Sequence, residues 1–294
     1  MMRIDTQGIT ALLHEVNLTH GSAWVLVERL AGGHQSGACR LRDAISGQPA
    51  VLKVSEQTEW AQQVTRAAPI IEAARTAGWP TPAWLAVGTT TQGWPYEIQE
   101  WVDGTPMDRL GLEEAEMILE LLDTQVGIGA KGPQDWSEYN RQVVFADRYG
   151  FAGEVRGSSP EGAEIVASVS ALCDPYRSLD LPVTDLVHGD LSTHNILVKD
   201  GRIAGVVDVE AVGCGSRVSD LACVIREGYM WRGDQAALER LLSEGLVMAG
   251  VGALLISIAA TVFGVSAFVL DHSPSEWPHA ASGALELARI LGEV

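Results

Sequence analysis

Leu186-Val-His-Gly-Asp-Leu-Ser-Thr-His-Asn-Ile-Leu-Val198, followed closely by Val206-Val-Asp-Val-Glu210, is the stretch on which the reading of this chain turns. Asp190 and Asn195 stand five residues apart in a loop between apolar runs, and Asp208 ends the next apolar run after a turn at Lys199-Asp-Gly-Arg202. Either residue type alone is an ordinary turn former. Together they supply what phosphoryl transfer from a nucleoside triphosphate needs: a carboxylate to accept a hydroxyl proton, and oxygens to hold Mg2+ on the phosphates. Residues 186–187, 196–198 and 203–207 read as short strands flanking turns, a hairpin that presents the three side chains.

Ahead of this stretch the pattern is mostly that of strands. Thr6 is placed to cap an amphipathic helix running to Val16, with Ile9, Leu12, Leu13 and Val16 on one face. Strands are expected over 23–30, 39–43, 50–54, 84–87 and 96–102, the third carrying Lys53. Two helical pieces, 58–67 and 69–76, fall between the third and fourth, with Pro69 opening the second. Beyond Asp103-Gly104 the periodicity is helical: 112–125, 136–148, 161–172, 218–226, 235–248, 253–269 and 280–291. The expected fold is α+β and bilobal, an antiparallel five-stranded sheet in the N-lobe and a mostly helical C-lobe. The lobes are expected at 1–103, nucleotide-binding, and 104–294, with a hinge near 100–104.

Composition narrows the partners. At 294 residues and 47% hydrophobic, the chain can bury one large core or two modest ones. Its net charge of −18 is uneven: residues 1–100 carry 7 Lys+Arg against 9 Asp+Glu, and the remainder 13 against 29. Such a field repels nucleic acid and anionic lipid and attracts cations. The start lacks a basic stretch followed by an apolar core, and Cys39, Cys173, Cys214 and Cys223 are scattered, so a reduced, cytoplasmic protein is expected. Gly245 to Leu270 is a 26-residue uncharged stretch. It is interrupted by Ala249-Gly-Val-Gly252 and has no flanking Lys/Arg cluster, which favours buried helix over a membrane span.

His188-Gly-Asp-Leu-Ser-Thr-His-Asn195, Asp208-Val-Glu210 and Ser219-Asp-Leu-Ala222 resemble the aminoglycoside phosphotransferase family, a branch of the protein-kinase-like fold. Supporting segments are Gly32-Gly-His-Gln-Ser-Gly37, Val51-Leu-Lys53 and Glu100-Trp-Val-Asp-Gly104, so the likeness spans roughly residues 20 to 230. Glycine after His188, where a protein kinase has arginine, and Asp208-Val-Glu210 in place of Asp-Phe-Gly point to small-molecule rather than protein acceptors. The resemblance implies Asp190 as catalytic base, and Asn195 and Asp208 as Mg2+ ligands. It implies Lys53 on the α- and β-phosphates of ATP (or GTP), the backbone around Gly33 with the Ser36 hydroxyl near those phosphates, and the Glu100 carbonyl and Val102 amide on adenine. His188 is expected to pack beneath the loop, Asp220 to accept its amides, and Glu210 to stand behind the metal site or face substrate. The family's helix glutamate, partner of the strand lysine, has no obvious counterpart; Glu72 and Glu59 are the candidates.

Family members phosphorylate hydroxyls on aminoglycosides, macrolides, peptide antibiotics, choline and homoserine. The acidic second half favours a cationic antibiotic, with a metabolic kinase of a small amino alcohol, a macrolide kinase or a non-catalytic nucleotide-binding protein as alternatives. Glu227, Tyr229, Trp231, Asp234 and Asp271 are the expected substrate residues, with Glu276 and Trp277 nearby. No nucleic acid or membrane partner is expected, and the chain is expected as a monomer or dimer.

Overall fold

The computed structural model describes residues 4–30, 37–129, 134–231 and 233–293. Contacts divide it into two compact units, Met1–Gly104 with Ala204–Ala211, and Thr105–Ile203 with Val212–Val294.

The first unit opens with α1 (Thr6–His20). Its cap is Asp5 rather than Thr6: the Asp5 carboxylate accepts the Gly8 amide at 2.8 Å, while Thr6 already lies in the first turn, where its backbone carbonyl accepts from the Thr10 hydroxyl at 2.9 Å. Ile9, Leu12, Leu13 and Val16 are all buried. Five strands follow, β1 (Trp24–Arg29), β2 (Gly37–Asp43), β3 (Pro49–Val54), β4 (Trp84–Thr89) and β5 (Pro95–Glu100), in the antiparallel order β1-β2-β3-β5-β4. Alternation puts Ala50, Leu52 and Val54 of β3 into a core with Leu41, Ile98 and the apolar face of α1. Lys53 therefore projects from the other face of a central strand. Between β3 and β4 stands one helix, α2 (Ala61–Thr76), led by a 3-10 turn at Thr58–Trp60. The expected division at Pro69 does not occur. Val64, Ala67, Ile70, Ile71 and Ala74 are buried along one continuous face, and that burial outweighs the single backbone bond proline removes.

In the second unit β6 (Thr105–Pro106) pairs with β8 (Ile196–Lys199). Helices α3 (Leu112–Asp123), α4 (Trp136–Ala146), α5 (Phe151–Ser158) and α6 (Pro160–Cys173) precede β7 (Asp185–Val187). The short α5 was not expected; two glycines and a serine in eight residues mask its period. β7 does not join a hairpin with β8 and β9 (Arg202–Val206) but pairs antiparallel with β10 (Gly213–Gly215). The stretch from Leu186 to Val198 thus runs from one small sheet to another. α7 (Val218–Trp231), α8 (Gln235–His272) and α9 (Trp277–Leu291) complete the unit. α8 is broken at Gly250, where φ is 75° and ψ 165°, and its second half from Gly252 to Val269 is largely buried against neighbouring helices. It is long and apolar enough to cross a membrane, but most of its apolar surface is used inside the unit.

Candidate active site

Lys53, Glu97, Asp208 and Glu210 meet within the first unit. Lys53 and Glu97 are direct partners in the β3–β5 register. Lys53 Nζ donates to Asp208 Oδ1 and to Glu210 Oε1, and its side chain is 12% exposed. Burial by itself would lower the lysine's pKa, but Glu210, Asp208 and Glu97 around it hold it above its ordinary value. Burial and the neighbouring Glu210 push Glu97 well above the carboxylate range, whereas Lys53 takes Glu210 down to about 2 against the effect of its own burial. Beside the ionised Glu210 the protonated form of Glu97 is favoured. Asp208, with φ at 66°, occupies the left-handed region, which turns its half-exposed carboxylate out of the strand direction.

Glu72 is not the partner of Lys53. It pairs with Arg75 one turn on, at 3.2 Å, and is largely exposed; the Glu59 side chain lies outside the described residues, as do Gly33 and Ser36. Glu97 was missed because it lies on a strand, and register is not written in local spacing. The Glu100 carboxylate accepts the Ala83 amide at 3.1 Å and lies 3.7 Å from Arg75. Val102 packs against Gly205, where an added Cβ would meet its methyls at 3.0 and 3.1 Å.

In the second unit two carboxylates of α7, seven residues apart and hence two turns along one face, brace the loop that carries Asp190. Asp220, fully buried, accepts the amides of His188 at 2.8 Å and Gly189 at 2.9 Å, and Gln125 Nε2 at 2.8 Å. Burial pushes its carboxyl upward, opposed by His188 and these donors. Glu227 accepts the Thr193 amide at 2.9 Å and its hydroxyl at 3.1 Å, with His194 at 3.4 Å. Within the loop the Asp190 amide donates to His188 Nδ1 at 3.2 Å, and Asn195 Nδ2 to the Asp190 carbonyl at 2.9 Å. His188 is fully buried. Gly189 has φ at 88°, and a Cβ there would stand 2.0 Å from the Trp136 ring.

Asp190 borders a cavity of about 600 Å3 walled by Trp136, Tyr139, Phe151 and Phe268, with Glu154, Arg226 and Asp271 in its lining. Of the expected substrate residues only Asp271 is there. Glu227, Trp231 and Asp234 line a separate hollow of about 750 Å3 beside Thr193 and His194. Glu227 is engaged by Thr193 and His194, and Asp234 caps α8 through the amides of Ala236 and Ala237. Tyr229 is buried in packing and borders neither space, and Trp277 is buried at the start of α9. Charge and aromaticity marked these positions, but helix phase distributes them over different faces. The cavity's own aromatics lie on α4, α5 and α8, where nothing local in the sequence separates a cavity wall from core.

The sequence profile of the phosphotransferase enzyme family (APH) matches residues 26–254. No curated protein matches the chain by sequence. Among solved structures, a thermostable mutant of aminoglycoside phosphotransferase APH(4)-Ia in ternary complex with AMP-PNP and hygromycin B superposes with TM-score 0.70 at 19% identity, over 94% of this chain and 97% of that one. Choline kinase LicA from Streptococcus pneumoniae gives 0.66 at 13%, over 96% and 100%. A putative fructosamine-3-kinase from Haemophilus somnus 129PT gives 0.62 at 14%, over 94% and 96%. These likenesses establish the bilobal α+β kinase-like fold, and with the profile spanning most of its length the chain belongs to the phosphotransferase enzyme family, as a phosphotransferase with an alcohol group as acceptor.

Proposed function

We propose that the enzyme transfers the γ-phosphoryl group of ATP or GTP to a hydroxyl of an amine-bearing small molecule of antibiotic size, an aminoglycoside or basic peptide antibiotic, and so confers resistance to it. The observation that carries this reading is the cavity bordered by Asp190. Its volume suits a drug-sized ligand and exceeds what a choline-sized molecule fills. Glu154 and Asp271, both exposed in its lining, attract an amine. The likeness to an enzyme solved with AMP-PNP and hygromycin B supports the same reading.

Asp190 accepts the proton of the substrate hydroxyl as that oxygen bonds to phosphorus. The Asp220 and Glu227 braces hold its loop, so the carboxylate needs little reorganisation at the moment of transfer. Asn195 and Asp208 suit Mg2+: the Asn195 Nδ2 is spent on the Asp190 carbonyl, which leaves its amide oxygen as the outward end, and Asp208 offers a half-exposed carboxylate. Bound Mg2+ supplies charge neutralisation on the phosphates. Lys53, held by Asp208 and Glu210, is the cation for the α- and β-phosphates, and the Glu100 carbonyl and Val102 amide are the adenine contacts.

A second reading, a macrolide kinase, is favoured by one observation, the four aromatic rings in the cavity wall. Intact-mass analysis of aminoglycosides, basic peptide antibiotics and macrolides after incubation with MgATP tests both. A gain of one phosphoryl group on a cationic member is expected, and turnover confined to neutral acceptors would sink the proposal. Asp190→Asn is expected to lower kcat by at least about 100-fold while MgATP still binds; unchanged phosphorylation would remove Asp190 as the base.

A further inference from the structure

Arg226 stands in the lining of the cavity that Asp190 borders, on α7, and is 5% exposed. Its Nε donates to Thr261 Oγ1 on α8 at 3.2 Å. No carboxylate among the described residues pairs with its guanidinium, whereas Arg217, just before the same helix, is paired with Asp123 and Arg240 on α8 with Glu116 and Glu244. From α8 the lining includes the small neutral residues Ser257, Ala260 and Gly264. The cavity's acids, Asp190, Glu154 and Asp271, are exposed, whereas the guanidinium is buried. A guanidinium stays charged at any physiological pH, and burying it unpaired is costly unless a ligand supplies the anion. Its planar fork matches a carboxylate through two parallel hydrogen bonds.

We infer that Arg226 receives a carboxylate of the acceptor, so that the substrate is zwitterionic: its hydroxyl at Asp190, its carboxylate on Arg226, its amine toward Glu154 and Asp271. The inference rests on the reading of this cavity as the acceptor site. It favours a hydroxylated amino-acid or peptide derivative with a free carboxylate over an aminoglycoside lacking any acidic group.

The test uses two probes that differ only in the carboxylate, seryl-tyrosine and seryl-tyrosine amide, titrated calorimetrically into the full chain. Wild type is expected to bind the acid at least about tenfold more tightly than the amide. Arg226→Gln is expected to bind both alike with MgATP affinity unchanged, and Arg226→Lys to keep part of the preference. Equal binding of the two probes by wild type overturns the inference, as does binding of neither. Loss of both probes by the same factor in Arg226→Gln overturns it too, as a merely structural role would give that result; so does weakened MgATP binding. If Arg226→Gln does not fold, the wild-type preference and its reduction in Arg226→Lys decide. Phosphorylation is read separately: a carboxylate preference with no turnover of any acceptor upholds the Arg226 site and removes the kinase reading of the cavity.

Discussion

Glu97 lies on β5 directly across from Lys53 and has its pKa raised by burial and by Glu210. A carboxylic acid that stays protonated there adds no second buried negative charge. Glu97→Gln keeps a neutral donor of the same shape and is expected to cost under about 1 kcal/mol, against about 1–3 kcal/mol for Glu97→Leu, which strands its partner; urea unfolding measures both. The sign of the pH dependence follows from the raised pKa. The folded chain holds a proton that an unfolded glutamate releases above about 4.3, so Glu97's contribution to stability falls as pH rises beyond that value, and Glu97→Gln removes the slope. A pH-independent difference between wild type and Glu97→Gln would show that Glu97 is ionised in the fold. At this scale the sequence proposes candidates where they are local: Asp190, Asn195 and Asp208 lie within nineteen positions of one another. It was unreadable where a strand register brings Glu97 to Lys53 across forty-four residues.

α8 shows how an element's backbone can be decided by one glycine. At Gly250 a φ of 75° with ψ near 165° is a conformation that side chains other than glycine's rarely adopt, and no atom lies within 4 Å of where a Cβ would sit. The cost of Gly250→Ala is therefore conformational alone, about 1–3 kcal/mol. Gly264, in the buried half of the same helix, would place a Cβ 3.8 Å from Phe151, an ordinary contact. Gly264→Ala is expected to be stabilising by up to about 1 kcal/mol. Thermal unfolding of the two variants should move in opposite directions, and a common direction would refute this account of the break. The break itself was legible, because Ala249-Gly-Val-Gly252 interrupts an apolar run; the continuity of α2 through Pro69 was not, because burial on both sides of the proline depends on tertiary packing. The pairing of β7 with β10 was likewise hidden, since three-residue strands carry no period that names a partner.

Over the whole molecule the acidic surplus and the scattered cysteines describe a chain whose reactive groups are kept inside. All four cysteines are free and buried, and burial pushes the thiols of Cys173 and Cys223 up to about 12. At pH 8 roughly one in ten thousand of either would be thiolate. Alkylation with iodoacetamide at that pH is expected to leave both unmodified in the native protein and to reach them after denaturation; rapid native labelling of either would contradict their burial. The two-unit organisation was expected from the shift from strand to helix near residue 104, but a boundary in sequence does not disclose that Ala204–Ala211 returns to the first unit. That return has a consequence for how the protein comes into being. A ribosome that has released Met1–Gly104 has released the sheet and Lys53 but not Asp208 or Glu210, the carboxylates that neutralise that lysine. The N-terminal unit must wait through another hundred residues of synthesis with Glu97 alone of these three carboxylates beside that lysine. Its completion is therefore a late event, timed by the emergence of the same segment that brings Asp208.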